Sequence, residues 1–171
     1  MVTQSFYLFE TLCGVRKTGL RHLDLHLARL AASARTLAFN CDLERVRSEA
    51  LRHGAELPED GQHRLRIRLE SLGTVEVNHS PLLPLGTAPI RLLLSSDWGF
   101  ASQCSSNPLR LHKTSLRGDY DNGWRFAEGL GAFDMLFVNE RGELTEGGRS
   151  NLFLRMEDRW WTPPLSSGTS L

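Results

Sequence analysis

A chain of 171 residues can bury a hydrophobic core and forms one large domain or two small ones. Its 20 Lys and Arg residues balance 20 Asp and Glu residues, so no bulk field attracts nucleic acid or an anionic membrane surface. No apolar run approaches the ~18 residues of a membrane span, and the N-terminus lacks the basic and apolar segments of a signal peptide.

Hydrophobic spacing predicts a strand followed by two helices at the start of the chain. Residues 6–12 are apolar almost throughout, as in a strand buried on both faces, where Glu10 is costly unless it is paired. Apolar residues spaced three or four apart predict a helix over 24–40 with Asp24 as its N-cap. This stripe consists of Leu23, Leu27, Leu30, Ala34 and Leu37. A second helix, capped by Asp42, is predicted over 42–53.

Arginine and aliphatic residues then alternate strictly over 64–69. This period of two is typical of a strand with one wet face and one buried face. The three arginines could also form a nucleic-acid stripe, but acidic neighbours and zero net charge favour an exposed sheet face. A hairpin partner is predicted over 74–78 and a further buried strand over 90–94.

A polar loop without periodicity, 95–108, divides the chain. A loop of this length in a compact chain is usually functional or a linker. We therefore expect an N-terminal α/β domain over 1–100, an interdomain loop over 101–110 and a second domain over 111–171. The predicted elements of this second part are a helix at 116–131 and strands at 133–138, 152–156 and 160–162.

The cysteine and histidine residues do not indicate a metal site. Cys13, Cys41 and Cys104 are odd in number and widely spaced, which favours free thiols in a reducing cytoplasm. His22 and His26 lie four residues apart on the predicted helix, but no third ligand stands nearby. We interpret both as core or capping histidines.

Lysine is rare in this sequence and therefore informative. Only Lys17 and Lys113 are lysines, while every other positive side chain is arginine. Arginine stays charged, whereas a desolvated lysine can lose its proton and act as a nucleophile. Lys17 lies in a glycine-bounded turn and is expected to be solvated. Lys113 lies between apolar Leu111 and Leu116, which favours a functional amine over an ordinary surface lysine.

Four motifs in order give the chain a family resemblance. They are Leu-Phe-Glu-Thr-Leu at 8–12, His-Leu-Ala-Arg-Leu at 26–30, His-Lys-Thr-Ser-Leu-Arg at 112–117 and Thr-Glu-Gly-Gly-Arg-Ser-Asn-Leu-Phe at 145–153. Together they resemble the class IV aminotransferases, the fold-type IV pyridoxal-phosphate enzymes, and within them most closely the aminodeoxychorismate lyases. The resemblance implies an α+β fold of two domains, an N-terminal α/β sandwich and a C-terminal β-barrel-like domain with helices.

The resemblance also implies a cofactor site. Pyridoxal phosphate needs a lysine for its aldehyde, an acidic partner for its ring nitrogen and donors for its phosphate. By family position Lys113 is the lysine and catalytic base, Glu146 the acidic partner and Arg29 a phosphate ligand. Ser150 and Asn151 would line the cofactor, and Glu10 and Thr11 would lie near the substrate.

From this resemblance we expect elimination of pyruvate from 4-amino-4-deoxychorismate to give 4-aminobenzoate for folate synthesis. The alternatives are a branched-chain or D-amino-acid aminotransferase of the same fold, and a non-catalytic chain stabilised by a partner. A cytoplasmic homodimer with a small-molecule substrate is implied, with association with aminodeoxychorismate synthase as a further expectation.

Two departures from the family pattern stand out. The family usually carries an arginine two residues after the threonine at position 11, where this sequence has Cys13. From the resemblance, we therefore expect part of the usual recognition of the substrate carboxylate to be missing at position 13. The family also continues past the segment 163–171 into a helix whose N-terminus receives the phosphate. We therefore expect the second domain to be incomplete in this chain.

Overall fold

The structure is a computed structural model that describes residues 5–169. The first four and last two residues, with which the two expected domains begin and end, lie outside the described residues. The chain groups into two compact units. The first holds the residues up to Gly86 together with Lys113–Ser115, and the second holds Thr87–His112 and the residues from Leu116 onward. The continuous part of the first unit ends at Gly86. The domain bounds expected from the sequence, 1–100, 101–110 and 111–171, stay a prediction.

An antiparallel sheet forms the centre of the first unit. Its strands are β1 (Tyr7–Val15), β2 (Gly19–Leu20), β3 (His63–Glu70) and β4 (Val75–Pro81), in the order β2-β1-β3-β4. On the edge of β1 opposite β3, the Phe9 amide donates to the Lys113 carbonyl over 3.0 Å, and the Ser115 amide donates to the Tyr7 carbonyl over 2.9 Å. Residues 113–115 therefore run along β1 as a short added strand.

Two helices, α1 (Leu23–Thr36) and α2 (Leu43–Ala55), cover one face of this sheet. The apolar stripe of α1 packs against Leu8 and Leu12 of β1 and against the residues of β3 that the sequence assigned to the buried face. The fully buried members include Leu8, Leu27, Leu65, Ile67 and Leu69. The expected α/β sandwich is confirmed, and so is the Asp42 cap, whose side chain accepts from the Arg45 amide over 3.0 Å.

Two local predictions are wrong. Helix α1 begins at Leu23, with His22 at its N-cap in the left-handed conformation, so Asp24 lies inside the first turn. There its carboxylate pairs with Arg47 over 2.7 Å, and a carboxylate in the first turn also suits the helix dipole. The predicted strand over 90–94 shrinks to β5 (Leu92–Leu94), and Ile90 is 46% exposed.

The outer face of the sheet bears cations stacked on aromatic rings. As predicted, the arginines of β3 lie on the face opposite the buried Leu65, Ile67 and Leu69. The Arg66 guanidinium carbon lies 4.3 Å from the Phe9 ring centroid, and that of Arg68 lies 4.1 Å from the Tyr7 ring centroid. Such stacking suits the planar guanidinium and shields the aromatic rings of β1 from water.

A three-stranded sheet and one helix form the core of the second unit. Strand β5 pairs in parallel with β6 (Asp134–Val138), and β6 pairs antiparallel with β7 (Leu144–Gly147). Helix α3 (Gly118–Gly129) packs on β6 so closely that a Cβ on Gly123 would lie 2.5 Å from Phe137. A separate hairpin follows, formed by β8 (Leu154–Met156) and β9 (Arg159–Trp161). No helix within residues 5–169 is both long and apolar enough to cross a membrane.

One buried ion pair joins α1 to β1. Glu10 is 1% exposed and faces the helices rather than the outer face of the sheet. Its carboxylate accepts from Arg29 through Nε over 2.8 Å and through Nη2 over 2.6 Å, and it lies 2.8 Å from His26 Nδ1. Burial raises the pKa of Glu10. The hydrogen bonds and positive charges of Arg29 and His26 lower it by more than burial raises it, so the pKa of Glu10 is below its usual value. The free-energy cost of burying the Glu10 carboxylate in an apolar strand is thus offset by its hydrogen bonds to side chains of α1.

A polar network ties the loop before residue 108 to the β6–β7 turn. The Glu140 carboxylate accepts from the Ser105 hydroxyl over 2.5 Å and from the Ser105 amide over 2.8 Å. Arg141 donates to Glu143 over 2.6 Å and to the Ser166 carbonyl over 2.9 Å. The Ser105 hydroxyl and amide hold the pKa of Glu140 at about 2.

The Glu10–Arg29 pair is expected to be essential for stability. Arg29→Met leaves a buried carboxylate without its main partner, which costs about 3 to 5 kcal/mol of the free energy of unfolding. Chemical denaturation measures this loss. The matched control Arg52→Met removes only exposed ion pairs with Glu49 and Glu56 and should leave stability nearly unchanged. The double variant Glu10→Leu/Arg29→Met should recover part of the loss; equal losses in the Arg29 and Arg52 variants would contradict this account.

The Ser105–Glu140 contact predicts an acid-sensitive contribution to stability. Because the pKa of Glu140 falls from 4.5 to about 2 on folding, its contribution is complete above pH 4.5 and disappears as the pH falls toward 2. Ser105→Ala should therefore lower the melting temperature above pH 4.5 and have little effect near pH 2. A melting-temperature difference that stays constant over this range would contradict the prediction.

Candidate active site

Lys113 is part of the sheet of the first unit rather than a solvated loop. Its carbonyl accepts from the Phe9 amide, and the pairing of Leu8 with Thr114 fixes the register of the segment. Side chains opposite each other in an antiparallel pair share a face, so Lys113 projects with Phe9. Its Nζ lies 5.7 Å from the Phe9 ring centroid, and the side chain is half-buried. This placement disfavours an ordinary surface lysine, whereas Lys17 is exposed in its turn as expected.

The Phe9 ring is shared by two cationic side chains. Arg66 stacks on it at 4.3 Å, and Lys113 approaches it at 5.7 Å. Thr11 follows on the same face of β1, half-buried and paired in register with Arg66. The face that carries Lys113 is therefore cationic and aromatic, which suits an anionic substrate.

Arg29 keeps one edge of its guanidinium for a further anion. Glu10 uses the Nε and Nη2 positions, while no described residue bonds to Nη1. A guanidinium has five donors, so a phosphate can be held at Nη1 without breaking the pair. Both carboxylate oxygens of Glu10 accept hydrogen bonds from Arg29 of α1, so Glu10 orients the Arg29 side chain. The family position of Arg29 as a phosphate ligand stays a prediction.

Glu146 lies in β7 of the second unit and is 9% exposed. The Tyr120 hydroxyl donates to its Oε1 over 3.0 Å, and Arg110 Nη1 donates to the Tyr120 oxygen over 3.0 Å. Burial raises the pKa of Tyr120 well above its usual range, and the charge of Glu146 adds to this effect. Glu146 is thus a buried acceptor with a fixed donor on one oxygen.

The turn after Glu146 is held by Asp134 at the start of β6. Asp134 is fully buried, and its carboxylate accepts from the Ser150 hydroxyl over 2.5 Å and from the Arg149 amide over 3.0 Å. A Cβ on Gly148 would lie 2.8 Å from the Tyr120 carbonyl oxygen. The glycine is therefore needed for close packing within the protein. Ser150 bonds to Asp134, and Asn151 is exposed, so neither is shown to face a cofactor.

Sequence reasoning missed three residues of this region. Asp134 belonged to a predicted strand, Tyr120 to a predicted helix and Arg110 to the predicted interdomain loop, and none lies in a recognisable motif with its partner. Only the three-dimensional contacts reveal the Arg110–Tyr120–Glu146 row. Among residues 5–169, no three His, Cys, Asp or Glu side chains are grouped so as to hold a metal ion.

The donor set fits pyridoxal phosphate in its chemistry. Within the first unit, Lys113 has an amine and Arg29 has an open guanidinium edge; within the second unit, considered by itself, Glu146 is a buried carboxylate acceptor. An amine, a carboxylate acceptor and an anion-binding guanidinium are the three groups that this cofactor requires. Lys113, Glu146 and Arg29, which carry these groups, are the residues that the sequence motifs indicated.

Comparison with known proteins supports the same family. A family model described as Amino-transferase class IV matches residues 7–170. A Schizosaccharomyces pombe protein named as a candidate aminodeoxychorismate lyase is 29% identical over 148 residues, which are 85% of this chain and 62% of that protein. The chain therefore spans less than two thirds of the length of this curated relative.

Solved structures agree on the fold. A candidate amino-acid aminotransferase from Mesorhizobium loti is 32% identical with a TM-score of 0.84, covering 96% of this chain and 78% of that one. A hypothetical aminotransferase from Mycobacterium tuberculosis, solved with pyridoxal phosphate bound, is 22% identical with a TM-score of 0.79, covering 96% and 63%. Because the family match spans nearly the whole sequence, the chain belongs to the class IV aminotransferase family, whose members depend on pyridoxal phosphate.

Proposed function

We propose that this chain catalyses the pyridoxal-phosphate-dependent elimination of pyruvate from 4-amino-4-deoxychorismate, giving 4-aminobenzoate. The observation that carries the proposal is the placement of Lys113. This lysine is fixed by backbone hydrogen bonds to β1, and its amine lies on a cationic and aromatic face. The His-Lys-Thr-Ser-Leu-Arg motif around it and the yeast relative named for this lyase support the choice of reaction.

Each proposed ligand has a distinct task. Lys113 holds the aldehyde carbon of the cofactor, Glu146 accepts a hydrogen bond from its ring nitrogen, and the Nη1 edge of Arg29 binds its phosphate. Ser150 and Asn151 are proposed as neighbours of the cofactor, and Glu10 acts by orienting Arg29. Thr11 is proposed to face the substrate from β1.

The chemistry then depends on proton movement by one amine. When bound, pyridoxal phosphate would supply electron withdrawal from the substrate carbon that bears nitrogen. The substrate amine would replace the Lys113 amine at the cofactor's aldehyde carbon and so leave that amine free. The Lys113 amine removes the proton from that ring carbon. The bond between the ring and the enolpyruvyl oxygen breaks, and its electrons leave with the oxygen while the ring becomes aromatic. The proton held by Lys113 is delivered to the departing enolpyruvyl group, which becomes pyruvate, so atoms and charge balance.

The wider setting is proposed on the same basis. We expect a cytoplasmic homodimer that uses a small-molecule substrate in folate synthesis and can associate with aminodeoxychorismate synthase. The exposed cations of the sheet do not require a nucleic-acid partner, because the chain as a whole has no net charge.

A second candidate is an amino-acid aminotransferase acting on branched-chain or D-amino acids. The observation that favours it is the Mesorhizobium loti structure, which is more similar in sequence than the yeast relative and is named for an amino-acid aminotransferase. The Lys113, Glu146 and Arg29 assignments hold for either reaction, because both begin with proton removal beside the substrate nitrogen.

The two reactions are separated by their products. We expect the cofactor-loaded protein to release pyruvate and 4-aminobenzoate from 4-amino-4-deoxychorismate in equal amounts. With branched-chain or D-amino acids it should not form the corresponding 2-oxo acids. Coupled lactate dehydrogenase detects the pyruvate. Formation of 2-oxo acids without pyruvate release would establish the aminotransferase instead.

The lysine assignment is tested by a covalent label. Borohydride reduction of the loaded protein should fix the cofactor on the peptide that contains Lys113, as detected by mass spectrometry. Lys113→Ala should abolish the label and lower the rate by at least a thousandfold, since it removes both the attachment point and the catalytic base. The matched control Lys17→Ala should change neither. A label on Lys17, or one that survives Lys113→Ala, would refute the assignment.

A further inference from the structure

The buried Glu10 carboxylate is surrounded by nitrogen atoms of two side chains of α1. Its Oε1 accepts from Arg29 Nε over 2.8 Å. Its Oε2 accepts from Arg29 Nη2 over 2.6 Å and also lies 2.8 Å from His26 Nδ1. His26 and Arg29 lie three residues apart on α1, which places them on one face of the helix within the first unit. One carboxylate oxygen is therefore shared by both side chains.

The direction of each hydrogen bond in this cluster is fixed by chemistry. Burial raises the pKa of Glu10, but the hydrogen bonds from Arg29 and His26 lower it by more, so the carboxylate is ionised at neutral pH. An ionised carboxylate only accepts, so His26 Nδ1 carries a hydrogen in either charge state of the ring. A guanidinium only donates. The 3.5 Å separation of Arg29 Nη2 and His26 Nδ1 is thus a contact between two donors that share Oε2.

A carboxylate can pair with a guanidinium in two bidentate ways. Side-on pairing uses Nε and one terminal nitrogen, whereas end-on pairing uses both terminal nitrogens. Glu10 pairs side-on, which leaves Arg29 Nη1 without a bond to any described residue. End-on pairing would occupy that nitrogen. The additional hydrogen bond from His26 to Oε2 opposes the rotation of the carboxylate that would exchange one pairing for the other.

We propose that His26 is a positioning residue that keeps the Glu10–Arg29 pair side-on, so that the Nη1 edge of Arg29 stays available to the cofactor phosphate. The inference rests on the proposed function, in which Arg29 binds that phosphate, and it adds the residue that selects the binding edge. In this role His26 does not contact the cofactor itself. Its effect must therefore be specific to ligands that carry the phosphate, whereas a packing role would affect all ligands alike.

The test compares two ligands that differ in that one group. Pyridoxal phosphate carries the phosphate, and pyridoxal lacks it. Dissociation constants for both are measured by absorbance titration of the whole chain, without substrate, and the unaltered protein should bind pyridoxal phosphate more tightly. His26→Leu removes the donor to Oε2 and should weaken pyridoxal phosphate about tenfold while leaving pyridoxal unchanged. His26→Asn places an amide donor near the position of Nδ1 and should keep the tight binding.

Further variants make the comparison specific. His26→Gln keeps a polar side chain but moves the amide away from the Nδ1 position, so it should behave like His26→Leu and replaces it if leucine prevents folding. In an Arg29→Lys background, His26→Leu should cause no further phosphate-specific loss, because lysine has no second edge to select. His22→Asn alters the exposed N-cap of the same helix, where asparagine tolerates the left-handed conformation, and should change neither constant. Thermal melting confirms that each variant is folded.

The outcomes are distinguishable. If His26→Leu weakens both ligands equally, or weakens neither, His26 is a packing residue and the inference is overturned. The same holds if a folded His26→Asn variant binds pyridoxal phosphate as weakly as His26→Leu does. If the unaltered protein binds the two ligands equally, or binds neither, Arg29 does not bind the phosphate. The cofactor assignment of the proposed function then fails, and the positioning role fails with it.

Discussion

The backbone pairing between β1 and residues 113–115 is the constraint on which the rest depends. One edge of β1 pairs with β3, and the other edge pairs with residues 113–115 near Phe9 and with β2 near Gly14. Because strand side chains alternate, this pairing decides that Lys113 shares a face with Phe9 and that Glu10 lies on the opposite, helix-covered face. A shift of one residue would exchange those two faces.

Charge is divided between the two faces of the same strand. On the covered face, Glu10 is neutralised by Arg29 and lies beside His26, which offsets the cost of burial. On the outer face, arginine and lysine stack on aromatic rings. A buried carboxylate thus fixes helix α1, while the cations that could meet an anionic substrate remain outside. The strand serves stability on one face and, in our proposal, catalysis on the other.

Local patterns predicted local structure well, and long-range contacts could not be predicted. The alternation over 64–69 and the Asp42 cap depend on neighbouring residues, so the sequence contains the whole signal. His22 in the left-handed conformation displaced the expected Asp24 cap, since a cap depends on the path of the chain before the helix. Tyr120 could not be assigned, because its partner Glu146 is distant in sequence and contributes no periodicity.

The central claim is that Lys113 is the amine to which the cofactor binds. Because the chain has two lysines, protein labelled with 13C at the lysine ε-carbon gives two side-chain NMR signals, which Lys17→Arg assigns. One equivalent of pyridoxal phosphate should move the Lys113 signal completely and leave the Lys17 signal in place. Movement of the Lys17 signal, or of neither signal, would contradict the account.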